Sequence, residues 1–177
     1  MPQFETSAAN LIKITQLKGG MLGKVDFQKT IYLSKQLGVF IPFEVRWDKL
    51  GPYSFELAHF LNQLLARNSL FVDKGKYLVN PEGPLVDRKD SLTTIDSKTN
   101  QKLANLFNSI RQTVRSNHFH IPTFMECLAS IHFIKTSLEN SQKKTVFHAL
   151  RLLKPSRADE FSSMLEEAWD LLKRNGL

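Results

Sequence analysis

Residues 25–38 read VDFQKTIYLSKQLG, residues 39–54 VFIPFEVRWDKLGPYS, and residues 55–80 FELAHFLNQLLARNSLFVDKGKYLVN. The fold turns on the middle third of that run. Phe43, Val45 and Trp47 alternate with Glu44, Arg46 and Asp48, the period of two expected of a strand with one face buried and one charged. Gly51-Pro52 is expected to stop that strand, because proline fixes its own φ, lacks an N–H and pushes the preceding residue out of the α region. The rigid turn Gly51-Pro52-Tyr53-Ser54 then leads into a helix. Ser54 is its candidate N-cap, and Glu56 places negative charge in its first turn. Leu57, Ala58, Leu61, Leu64 and Leu65 form one apolar stripe, and Glu56, His59, Asn62, Gln63 and Arg67 lie on the other face. Two short apolar runs, 70–72 and 77–79, flank Asp73-Lys74-Gly75-Lys76 and read as a hairpin.

Upstream, Leu11, Ile12 and Ile14 mark a first helix closed by Gly19-Gly20, and a second helix spans 27–37 with Asp26 as its N-cap and Gly38 just beyond its end. A helix followed by a strand, a helix and a hairpin is the order of a winged helix. Downstream, Pro81, Gly83, Pro84, Asp90 and Ser91 punctuate a stretch without periodicity, and apolar spacing then marks four more helices, with Pro122 in the first turn of the second and Pro155 closing the third. The expected class is mainly α (α+β): a winged-helix-like core over 1–80, a linker over 81–96, and C-terminal helices over 97–177 packed on the core as one domain. The expected sheet joins 43–47, 70–72 and 77–79. The expected core includes Phe27, Ile31, Leu57, Leu61, Leu64, Leu128, Ile131, Leu165 and Leu172, the last two on one uninterrupted amphipathic helix starting near Phe161.

Of the 177 residues 42% are hydrophobic, enough for a substantial core. The formal net charge of +7 suits nucleic acid or an acidic protein partner. Cys127 is the single cysteine, so no internal disulfide forms, and a cytoplasmic rather than secreted protein is expected. The start, Met1-Pro2-Gln3-Phe4-Glu5, lacks the basic and apolar regions of a signal peptide. No apolar run reaches membrane-spanning length, so no membrane partner is expected.

A catalytic constellation is not visible. His118 and His120 would lie on one side of an extended segment, as in some metal sites, but no Cys, Asp or Glu completes a ligand set at a known spacing; a polar loop between helices is the expectation, and no metal. Cys127 sits on an apolar stripe and reads as a small buried hydrophobe. The run from Gly19 to Lys24 is glycine-rich without the spacing of a phosphate loop. No catalytic residue and no cofactor are expected. A metal-assisted hydrolase using His118 and His120 is the least favoured of three readings.

Five segments resemble a known group. Phe27-Gln28-Lys29-x-Ile31-Tyr32-Leu33 resembles the helix motif of the Panacea (SocA-like antitoxin) domain and of the small YwgA-type bacterial and archaeal proteins. Arg46-Trp47-x-x-Leu50-Gly51-Pro52-Tyr53-Ser54-x-x-Leu57 is similar to the Gly-Pro-Tyr-Ser segment of the YwgA type. Leu128-Ala129-Ser130-Ile131-His132-Phe133, Leu152-Leu153-Lys154-Pro155 and Glu167-Ala168-Trp169-x-Leu171-Leu172 resemble its C-terminal helices. The resemblance implies a mostly helical, winged-helix-like domain and a non-enzymatic interaction module, an adaptor or antitoxin-like protein binder. Tyr53-Ser54 after Gly-Pro departs from Panacea proper.

Two candidate surfaces follow. A protein partner would meet Arg46, Trp47, Lys49, Tyr53 and Ser54, because a rigid turn presents side chains at low entropic cost and Tyr and Arg often anchor interfaces; within this set Trp47 alternates with apolar residues and also reads as core. In the alternative, a DNA-binding regulator, Asn62, Gln63 and Arg67 of the second winged-helix helix would meet bases, and Lys74 and Lys76 of the hairpin would meet phosphates.

Overall fold

The computed structural model of the chain describes residues 2–139 and 141–177. The protein is mainly α with two small antiparallel sheets. Helix α1 (Pro2–Lys18), strand β1 (Met21–Leu22), helix α2 (Gly23–Gln36), the hairpin β2 (Arg46–Asp48) and β3 (Gly51–Tyr53), helix α3 (Phe55–Ala66) and the hairpin β4 (Leu70–Asp73) and β5 (Lys76–Val79) make up the first half. A short helix α4 (Lys89–Leu92) leads to α5 (Ser97–Asn117), α6 (Ile121–Ser137), α7 (Lys143–Leu153), α8 (Ala158–Ser162) and α9 (Leu165–Arg174). No helix among the described residues is long and apolar enough to cross a membrane.

The main sheet has the order β1-β5-β4, with Met21 opposite Tyr77 and Leu70 opposite Val79. Two helices around a short first strand, a third helix, then a hairpin whose last strand takes the centre of the sheet: this is winged-helix topology. It corrects the expected sheet at one strand. Residues 43–47 do not reach the 70–79 hairpin; the third strand is Met21–Leu22, too short to show alternation in sequence. Arg46–Asp48 pairs instead with Gly51–Tyr53, so Gly51-Pro52 does not end the β-structure but begins the return strand. The reason is local. The loop is only Lys49-Leu50, Gly51 takes φ +81 to close it, and proline is tolerated on a strand with no further neighbour to receive its N–H.

Local chemistry explains the other boundaries. Ser54 sits at φ −128 and its hydroxyl accepts from the Leu57 N–H, capping α3 as expected. Lys74 and Gly75 both have positive φ, which gives the β4–β5 hairpin a two-residue turn matched to strand twist. Helix α2 starts three residues before Asp26. That side chain accepts instead from the Leu22 N–H at 2.7 Å, satisfying an exposed donor from inside the first turn. The final helix is broken into α8 and α9, because the Ser162 and Ser163 hydroxyls bond back to the Asp159 and Glu160 carbonyls and compete with the helical ladder.

All nine residues expected in the core are buried, within one hydrophobic cluster that runs from Ala8 in α1 to Leu177 after α9. Helix α6 lies at its centre, buried from Thr123 to His132 and packed against α2, α7 and α9. Residues 81–96 fold back on α1. Leu85 and Ile95 are buried, and the Asn10 amide donates to the Phe40 carbonyl and the Thr94 hydroxyl while its oxygen accepts from Thr93 and Thr94.

Candidate functional site

The Gly51–Tyr53 strand is held on three sides by side chains from α2, α6 and the end of α7. From α2, the Gln28 amide meets the Ser54 backbone at both ends: Nε2 donates to the carbonyl at 2.9 Å, and Oε1 accepts from the N–H at 3.0 Å. One residue on, fully buried Lys29 donates to the Pro52 carbonyl at 2.7 Å. From α6, the Ser130 hydroxyl abuts Gly51 so closely that a methyl group on Gly51 would collide with it. Lys154, capping α7, donates to the Lys49 carbonyl in the turn and to Glu126 at 2.6 Å, and its ammonium lies 5.5 Å from the centre of the Trp47 ring. Arg157 closes the cluster on the other Glu126 oxygen at 3.1 Å.

Burial lowers the Lys29 ammonium from its ordinary value to about 8; Glu126 opposes that shift and Lys154 adds to it. A buried Glu126 is tolerable because Lys154 and Arg157 take both its oxygens. The Ser130 hydroxyl has no hydrogen-bond partner among the described residues. Serine, lysine and glutamate thus come together around Gly51 and clamp the turn. Further along the same α2–α6 seam, Tyr32 and His132 share a hydrogen bond at 2.8 Å, and burial depresses the His132 imidazole to about 4.

This clamp decides the fate of the five residues expected to meet a protein partner. Ser54 is buried as cap and Gln28 partner. Trp47 packs its ring 5.7 Å from Phe133 and beneath Lys154, as its place in the alternation suggested. Arg46 is exposed, but its guanidinium makes a two-pronged contact with Glu44 at 2.9 and 3.0 Å. Lys49 is exposed at the turn, and among the described residues only its carbonyl is engaged, by Lys154. Tyr53 is half-buried, its hydroxyl without a hydrogen bond among the described residues, and its ring meets the edge of Phe55 at 5.0 Å.

Phe55 leads to the surface that sequence reasoning missed. It is 74% exposed and stands at the end of an open groove of about 760 Å³ between α1, the segment before β2, and α3. Phe4, Phe43 and Phe60 form its base, with Phe60 4.8 Å from Phe4 and 5.0 Å from Phe43. Ser7 lines it too; its hydroxyl is buried and has no partner among the described residues. Gln3, Glu56, His59 and Gln63 supply the polar edge. Phe43 reads as the buried face of a strand in the sequence, and the only signal for the groove was Phe55, an apolar side chain off the α3 stripe.

The candidate nucleic-acid contacts do not share one surface. Gln63 is tied to His59 at 3.0 Å, and the Arg67 guanidinium covers the Phe4 ring at 4.3 Å. Asn62 is exposed beside them. Lys74 stands at the hairpin tip, while Lys76 turns toward α1 and α5. His118 and His120 flank the α5–α6 turn. His118 caps α5 in the left-handed conformation, and His120 pairs with the Thr123 hydroxyl at 3.1 Å. No group of three or more His, Cys, Asp or Glu positioned to hold a metal occurs among the described residues.

Compared with protein-family models, curated proteins and solved structures, the chain matches none of them.

Proposed function

We propose that the chain is a non-enzymatic, cytoplasmic interaction module, an adaptor or antitoxin-like protein of the Panacea/YwgA type, and that it captures a segment of a protein partner in the aromatic groove beside α3. The observation that carries this reading is the groove itself: three phenylalanine rings lining it, an exposed Phe55 at its end and a Ser7 hydroxyl in its wall without a partner among the described residues. Aromatic rings contribute large contact area at low entropic cost and dominate the energetics of protein recognition. The volume falls in the range of pockets that enclose a few inserted side chains. The clamp on the Gly51–Tyr53 strand supports the same reading, because it fixes the backbone immediately before Phe55 and so holds the groove's edge in place without a partner.

The DNA-binding alternative has one observation in its favour, the exposed Lys74 at the tip of the hairpin turn, where a wing would meet phosphate. One experiment separates the two. Peptides selected from a displayed library on the wild-type protein are expected to share an apolar or aromatic anchor. Their binding is expected to fall at least tenfold in Phe55→Ser, with the thermal midpoint unchanged because that side chain packs little. Submicromolar binding of duplex DNA at near-physiological salt, indifferent to Phe55→Ser, abolished by Lys74→Glu and weakening by orders of magnitude as salt rises fourfold, would replace this reading with the DNA one.

A further inference from the structure

We propose that a second and smaller pocket, between the Gly19-Gly20 turn and α5, binds a small organic monoanion: a carboxylate carried on a compact apolar body. The pocket encloses about 170 Å³ and lies at the opposite end of α1 from the Phe55 groove. Phe107, Ile110 and Val114 of α5, with Leu22 and Ile121, form its apolar walls. Cavities of about 150 Å³ with such walls take up a single benzene-sized ring.

The charges around it do not balance. Lys18, Lys76 and Arg111 line the pocket with one carboxylate, Asp26. Asp26 is already consumed: it pairs with Lys18, and it accepts from the Leu22 N–H at 2.7 Å and the Thr30 hydroxyl at 3.1 Å. Lys76 and Arg111 have no ion-pair partner among the described residues. Among the described residues Arg111 donates only to the Lys18 carbonyl and to the Asn108 side chain. Both cations act on Lys18, reinforcing the burial that lowers its proton affinity. Two positive charges are therefore left over beside a pocket with mostly apolar walls, where attraction for an anion is stronger than at an open surface.

The backbone supports this placement. Gly20 has φ +97, and a Cβ there would come within 2.5 Å of the Lys76 Cε. The Lys76 stem thus lies against the bare Gly20 backbone on its way to the pocket, and a side chain at Gly20 would displace it. A bare inorganic anion would leave the apolar walls unused, and a neutral ring would leave the cations unanswered. A ligand with both parts uses the whole site.

Benzoate is the probe, with benzamide as its neutral counterpart and inorganic phosphate as the anion without an apolar body. Titration calorimetry and amide shifts are read on the full-length protein. Benzoate is expected to saturate with a Kd of about 1 mM or tighter, in keeping with its few heavy atoms, and to move the Gly19, Gly20 and Ile110 amides. Benzamide is expected to bind at least tenfold more weakly. Lys76→Gln and Arg111→Gln are each expected to weaken benzoate at least fivefold while leaving the thermal midpoint within about 2 °C, since both side chains are at the mouth. The proposal is overturned if benzoate fails to saturate, if benzamide or phosphate binds as tightly, or if the shifts map to the Phe55 groove. It is equally overturned if both charge variants bind benzoate as wild type does.

Discussion

Gln28 treats Ser54 as a neighbouring strand would, with one amide donating to the backbone carbonyl and accepting from the backbone N–H. The two bonds are not equal in consequence. The Ser54 carbonyl also receives the Ala58 N–H as the first bond of α3, so it keeps a partner if Gln28 is lost. The Ser54 N–H does not. Gln28→Met, which keeps the volume, is therefore expected to cost one buried unpaired donor, about 1–3 kcal/mol, in urea denaturation. A loss below about 0.5 kcal/mol would mean that water replaces the amide.

Gly51→Ala is expected to be worse than an ordinary turn substitution. The residue has φ +81, and the added methyl meets the Ser130 hydroxyl. Conformational strain of about 1 kcal/mol adds to the collision. Ser130→Ala alone is expected to be neutral or slightly stabilising, because its buried hydroxyl has no partner among the described residues. The double variant should recover part of the Gly51→Ala loss. Strictly additive effects of the two substitutions would show that the contact between them carries no energy.

Lys29 predicts an alkaline gain. Its folded value of about 8 lies below the ordinary 10.5. Between those values the unfolded chain holds a proton that the folded one has released, so this group adds stability as pH rises from about 8 to 10.5. Subtracting the Lys29→Met unfolding curve from that of wild type isolates the effect. The difference should climb across that window; a flat difference means that Lys29 keeps its ordinary proton affinity.

His132 predicts the acid limb. Folded, it protonates near 4 rather than 6.5, because burial penalises the imidazolium and Lys135 repels it. As pH falls from 6.5 to 4 the unfolded chain gains a proton that the folded one refuses. Stability is lost through that window, by about 3 kcal/mol when complete. Replacing His132 by Gln should flatten the decline in thermal midpoint between pH 6.5 and 4. An equally steep decline in that variant would assign the acid sensitivity elsewhere.

The clamp explains which parts of the molecule were legible in sequence. Phe27 and Ile31 announce a buried helix face by their spacing, and Ser54 announces a helix start, because both signals act within one turn of chain. Gln28 and Lys29 sit between those apolar positions and look like ordinary polar helix residues. Their partners are 26 and 23 residues away in sequence, and no local periodicity reports that. β1 was invisible because two residues cannot alternate. The Phe55 groove was invisible because Phe4, Phe43 and Phe60 come from three separate segments and no local pattern joins them.

Lys154 touches the Lys49 carbonyl across 105 residues of sequence. On a ribosome, where chains lengthen by about 5–20 residues per second, the β2–β3 turn emerges roughly 5–20 s before the cation that closes over it. The winged-helix half can pair its own strands in that interval, but the turn at its centre stays open on one side until α7 has been made. Contacts of such separation also slow refolding of the finished chain, since a large loop must close before they form. Truncation after α6 would therefore leave the first half with its motif turn unlocked and Glu126 without either of its cations, a nascent state suited to a chaperone rather than to a partner.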